Sequence, residues 1–97
     1  MTPAAFHLTL SYPLPPRDLT ASVAALWWVK KGDWDKAHRL VMDEASLEAA
    51  WVHAFLHRAE GDEGNAHYWY GKARRHPAKG DLDAEWDAIL AALLRRG

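Results

Sequence analysis

The sequence predicts an all-α domain of five helices over residues 17–97, preceded by an extended N-terminal arm over residues 1–16. Three observations predict it. Apolar residues recur at three- and four-residue spacing in the segments beyond residue 17. Two Gly-Asp pairs, Gly32-Asp33 and Gly61-Asp62, punctuate these segments, the glycine suited to end one helix and the aspartate to cap the next. The first residues differ: Phe6, Leu8, Leu10 and Tyr12 alternate with His7, Thr9 and Ser11, the period of a strand, and Pro13, Pro15 and Pro16 extend the chain after them.

Taken in order, the arm is expected to lie across the helices, because its aromatic and leucine side chains are otherwise exposed. Pairing with the arm of a second copy, which makes a homo-oligomer, and partial disorder are the alternatives. The first helix is expected near 19–31, starting at Asp18 or Thr20, with Leu19, Val23, Leu26 and Trp27 on one face and Gly32 as its stop. A short helix near 34–43 follows the Asp33 cap, with Trp34, Ala37 and Val41 on one side and His38 at its border. Ser46 caps a helix near 47–60, and Asp62 caps another near 63–75 that carries Ala66, Trp69, Tyr70 and Ala73 on one stripe. The last helix, near 82–95, follows Pro77, Gly80 and the Asp81 cap, with Leu82, Trp86, Ile89, Leu90 and Leu93 at core spacing.

The helix near 47–60 is expected at the centre because both of its sides look occupied. Leu47, Trp51, Val52, Phe55 and Leu56 make a broad apolar face. Opposite them stand Ala50, Ala54, His53, His57 and Glu60, where small alanines admit a close neighbour and polar groups then need partners.

Composition bounds the function classes. Ninety-seven residues, 49% hydrophobic and 26% charged, suit one domain with one core. A formal net charge of −1 gives no bulk attraction to nucleic acid, and the clusters Lys72-Ala73-Arg74-Arg75-His76 and Arg95-Arg96 fall at helix C-termini, where cations are favoured by the helix dipole. No apolar run approaches the ~20 residues of a membrane span, and the N-terminus lacks a secretory pattern. Without cysteine there is neither a disulfide nor a thiolate zinc site. A cytoplasmic protein with no nucleic-acid or membrane partner is expected.

The segments Lys31-Gly32-Asp33-Trp34-Asp35-Lys36-Ala37-His38 and Glu60-Gly61-Asp62-Glu63-Gly64-Asn65-Ala66-His67 echo one another. The second continues through Tyr68-Trp69-Tyr70-Gly71-Lys72-Ala73 to Pro77 and resembles the second half of a tetratricopeptide repeat, with Ala54 at the small position of the first helix. The spacing of the two turns is shorter than the ~34 residues of a regular repeat. A compact repeat-like bundle, two degenerate hairpins and a capping helix, is therefore the expectation. The run from Gly32-Asp33-Trp34 through Ala50-Trp51-Val52-His53-Ala54, Leu56-His57-Arg58, Glu60-Gly61-Asp62 and Asn65-Ala66 to Tyr68-Trp69-Tyr70 also resembles an uncharacterised family of small helical proteins. That resemblance covers residues 24–93 and implies no reaction, cofactor or catalytic residue.

Chemistry is concentrated in the histidines and aromatics. His53 and His57 are one helical turn apart, the spacing that brings two imidazoles to one metal, with Glu60 on the same stripe and Asp62 beyond the turn. A divalent zinc or a non-haem iron suits two histidines and a carboxylate; hydrogen-bonded structural histidines between helices explain the same residues. His38 and His67 occupy equivalent places in the echo, with Asp35 placed to hold the His38 tautomer. Most of the six tryptophans belong to the core. Trp28 and Tyr68 lie off their helices' main faces and are candidates for a binding surface. No nucleophile context or phosphate loop is present.

The leading expectation is a non-enzymatic binding module for a peptide, protein or small ligand, using His53, His57, Glu60, His38, Tyr70, Trp28 and Tyr68. The alternative is a small metal-binding protein or enzyme using the His53, His57 and Glu60 stripe, with His53 and His57 as the metal ligands.

Overall fold

Every helix expected beyond residue 17 forms close to its expected ends, and the caps explain why. The computed structural model describes residues 1–96, and its elements are α1 (Pro3–Thr9), α2 (Ala21–Lys30), α3 (Trp34–Val41), α4 (Leu47–Ala59), α5 (Glu63–Ala73) and α6 (Leu82–Arg96). Side-chain oxygens of Thr20, Asp33, Ser46 and Asp62 accept from the backbone N–H three residues on, satisfying donors that a helix start leaves free. Gly32 and Gly61 take φ of 94° and 88°, the left-handed conformation that lets α2 turn into α3 and α4 into α5.

The arm is where the sequence reading needs correction. Residues 3–9 form α1, so the described residues hold six helices and no strand, not five helices behind an extended arm. Thr2 caps α1 by accepting from Ala5 N–H, and Pro3 sits at its start, where the missing N–H costs nothing. The apparent strand period is misleading because Leu8 and Tyr12 are largely exposed while Phe6 and Thr9, three apart, are buried. The arm does pack across the helices. Phe6 lies 5.9 Å from the Trp86 ring, and the Trp27 indole N–H donates to Thr9 at 3.3 Å (carbonyl) and 3.2 Å (hydroxyl).

The chain is arranged as two hairpins, α2 with α3 and α4 with α5, with α6 packed on α2 and α4 and α1 packed on α6. In α4 the nine residues from Ala49 to His57 are all buried, so both sides of this helix are covered as expected. Leu47 departs from the expected face, being 47% exposed at the helix start. Burial of Leu26, Trp27, Val52, Leu56, Trp86, Ile89 and Leu90 supplies the main driving force. Indole donors tie the layers together: Trp86 to the Leu26 carbonyl at 2.9 Å and Trp34 to the Leu56 carbonyl at 2.7 Å.

A buried polar network joins three helices. Glu85 of α6 accepts from the Arg58 guanidinium of α4 at 2.8 Å and from the Tyr70 hydroxyl of α5. Arg58 also donates to the Gly80 carbonyl, fixing the loop before α6. No helix among the described residues is long and apolar enough to cross a membrane.

Candidate functional site

The histidines meet where α3 crosses α4. The Trp34 indole, anchored to the Leu56 carbonyl of α4, sets the approach of α3. His38 follows one turn later and stacks on that indole, ring centres 4.8 Å apart and planes 13° from parallel. On α4, the one-turn spacing of His53 and His57 stacks their rings with centres 4.9 Å apart. Trp69 of α5 closes the other side, stacked on His53 at 3.9 Å and 15°. Three imidazoles are thus held between two indoles.

Hydrogen bonds define which nitrogens point inward. The Nε2 atoms of His38 and His53 are 3.0 Å apart, so one proton is shared between two rings. Glu60 Oε2 lies 2.8 Å from His57 Nδ1. The carboxylate accepts, so His57 donates through Nδ1, an arrangement that in the neutral ring leaves the lone pair on Nε2. One ligand atom from each of His38, His53 and His57 falls within 4.8 Å of the others. A second such group, His57, Glu60 and Asp62, shares His57, but both Asp62 oxygens are engaged in capping Asn65.

Electrostatics keeps His38 and His53 uncharged. Burial, and then the neighbouring His38 and His57, lowers the His53 pKa to about 4. His38 is also lowered, chiefly by burial and His57, against opposing pulls from Glu60 and Asp35. Both are neutral at pH 7, the form that offers a lone pair to a metal. His53 Nδ1 is the one buried side-chain polar atom without a hydrogen-bond partner among the described residues. Leaving such a group unpaired costs about 1–3 kcal/mol. The ring is held in place despite that cost, as expected of a group positioned for what its other nitrogen does.

The residues present fit a metal of the late first row. Two imidazole nitrogens sharing a tetrahedral zinc at 2.0–2.1 Å stand about 3.3 Å apart, close to the 3.0 Å between His38 and His53. A metal would take the place of their shared proton, each ring then carrying its hydrogen on Nδ1.

A comparison with protein-family models, curated proteins and solved structures finds none that matches this chain. The site therefore carries the functional argument by itself.

The structure unites some of the expected residues and separates others. His38, His53, His57 and Glu60 form one cluster, with His38 bonded to His53 rather than to Asp35. Tyr70 is buried elsewhere, its hydroxyl bound to Glu85. Trp28 packs edge-on against Trp27 under Lys36, away from the imidazoles. Tyr68 is 57% exposed and touches the cluster's wall only through Trp69. His67 is exposed, so its equivalence to His38 in the sequence echo does not extend to environment. The walls, Trp34 and Trp69, were missed as site residues. The signal for Trp34 was its place one turn before His38.

Proposed function

We propose that this chain is a metal-binding helical module that holds a late first-row divalent transition ion at His38, His53 and His57. The observation that carries the reading is the convergence of three imidazole nitrogens from two helices within 4.8 Å, two of the rings almost wholly buried. Nitrogen donors of this kind suit zinc, copper or nickel rather than calcium or magnesium, which prefer oxygen. Glu60 supports the reading, since a carboxylate on the far nitrogen of a ligating histidine orients the ring and raises its basicity. The paired hairpins, with their echoed Gly-Asp turns, support a repeat-like origin for the scaffold.

The test is thermal unfolding of chelator-treated protein with and without zinc, copper or nickel. A metal that binds only the native state at 100 times its dissociation constant stabilises it by about 2.7 kcal/mol. The wild type is expected to shift upward in Tm with one of these ions, and His38→Ala, at the more exposed edge, to fold but lose the shift. No shift with any of the three ions would reduce the cluster to a hydrogen-bonded packing device.

A second reading, docking of an apolar peptide segment, is favoured by one surface feature. Exposed Met42, Leu47 and Tyr68 border a groove that also includes Ala50, Trp69 and Lys72. Selection from a random peptide library, counter-selected with Leu47→Ser/Tyr68→Ser, tests it. Failure to enrich any sequence dependent on those two side chains dismisses this reading.

A further inference from the structure

We infer that the metal centre keeps one coordination position open and that this position takes a small anion from solution. The inference rests on the metal reading above and deepens it. Three observations carry it.

The first is the donor count. Among the described residues, no fourth histidine or carboxylate joins His38, His53 and His57 within the 4.8 Å set. Glu60, the carboxylate in contact with the cluster, is engaged with Nδ1 of His57 at 2.8 Å, which leaves Nε2 as that ring's free nitrogen. It supports a ligand and is not one. Three protein donors around a tetrahedral ion leave one place for water or an incoming group, whereas structural sites use four.

The second is charge. Three neutral imidazoles bring no negative charge to a divalent ion, so the ligand set leaves +2 in a largely buried place. The carboxylates that act on the cluster are Glu60 and Asp35 on His38, and Asp62 near His57. All three belong to residues at the rim, and Glu60 and Asp35 are exposed to water, which screens them. An ion of uncompensated charge beside apolar walls favours an anionic fourth ligand over a neutral one.

The third is shape. Trp69 covers His53 face-on, and the buried stretch of α4 closes the floor. His38 is only half-buried and Glu60 is exposed, so the cluster meets solvent along the edge between α3 and the end of α4. Trp34 stacks over His38 along that same edge. With one indole stacked on His38 and another on His53, the ligand we assign to the open position is an anion of a few atoms, such as azide, formate or hydrogencarbonate.

Cobalt(II) in place of the native ion tests this directly, because its visible absorption reports coordination number and ligand type. Chelator-treated wild-type protein is loaded with one equivalent of cobalt and titrated with sodium azide, then with sodium formate, at constant ionic strength. The expected result is cobalt uptake lost in His38→Ala, and a saturable spectral change with each anion. A spectrum that develops on loading but does not respond to either anion would mean a closed site; it would overturn this inference and leave the metal reading standing. Absence of any cobalt spectrum would overturn this inference, and the further absence of a zinc-, copper- or nickel-induced rise in Tm would overturn both.

Discussion

Replacing Glu85 by alanine tests the idea that one buried carboxylate holds three helices together. Glu85 is 8% exposed and is the shared acceptor for Arg58 of α4 and Tyr70 of α5. Burial and the bond to Glu85 push the Tyr70 hydroxyl well above the ordinary tyrosine range, as expected of a donor held by a charged acceptor. Removing one partner of a buried ion pair costs about 3–5 kcal/mol, because the other charge stays behind uncompensated. Arg58 keeps the Gly80 carbonyl and its side chain is 16% exposed, so some water reaches it and the lower end of that range applies. The orphaned Tyr70 hydroxyl adds about 1 kcal/mol. The sum, about 4 kcal/mol, is a large part of the stability of a domain this size. Urea unfolding at pH 7 followed by far-ultraviolet circular dichroism measures it, and Tyr70→Phe measured alongside isolates the hydroxyl at about 1 kcal/mol. A cost for Glu85→Ala below about 1 kcal/mol would show that water already solvates the trio, and the claim that it fastens α6 would fall.

Three further outcomes are expected. In metal-free protein the depressed His53 pKa makes the unfolded state bind protons first, so stability is full above pH 6.5, declines as pH falls, and levels off near pH 4; a His53→Phe variant, which keeps a ring against Trp69, should decline less between those limits, and equal slopes would refute the assignment. Ala54→Leu should cost about 1–3 kcal/mol by overpacking a fully buried position, and an unchanged urea midpoint would contradict it. Gly61→Ala should cost about 1 kcal/mol, since φ of 88° strains any side chain although a Cβ there meets nothing within 4 Å. A calorimetric Tm equal to wild type would show that the turn relaxes freely.

Much of this architecture was legible because local signals agreed with one another. Asp33, Ser46 and Asp62 announced their helices as capping residues, and Gly32 and Gly61 announced the turns, since these roles depend on near neighbours alone. The two-sided burial of α4 followed from Ala50 and Ala54 standing opposite Val52 and Leu56. What failed depended on distant partners. Phe6, Leu8, Leu10 and Tyr12 carry a strand's period, and the docking of Phe6 on Trp86 and of Thr9 on Trp27, added to the Thr2 cap and Pro3, selects a helix there. The meeting of His38 with His53 is of the same kind. Nothing local to either residue specifies the crossing of α3 and α4, which the reach of the Trp34 indole to the Leu56 carbonyl sets. Tyr70 was drawn into the site by its place near the histidines in sequence, whereas its hydroxyl belongs to Glu85, fifteen residues on.

The packing of α1 on α6 has a consequence for the order in which the protein can assemble. As the chain is synthesised, α1 emerges ahead of α2 to α6, yet Phe6 and His7 find Trp86 only after α6 has followed. The two hairpins use nearby partners and can form as soon as each is released. Until then α1 holds only its contacts with α2, and Phe6 is available to anything else that meets a hydrophobic side chain. Seating Phe6 on α6 therefore follows both hairpins, and a chain stopped before residue 82 leaves that side chain without its partner even though Thr9 can already meet Trp27. Chaperone capture of such stalled chains, and its loss once α6 is released, is the behaviour this topology calls for.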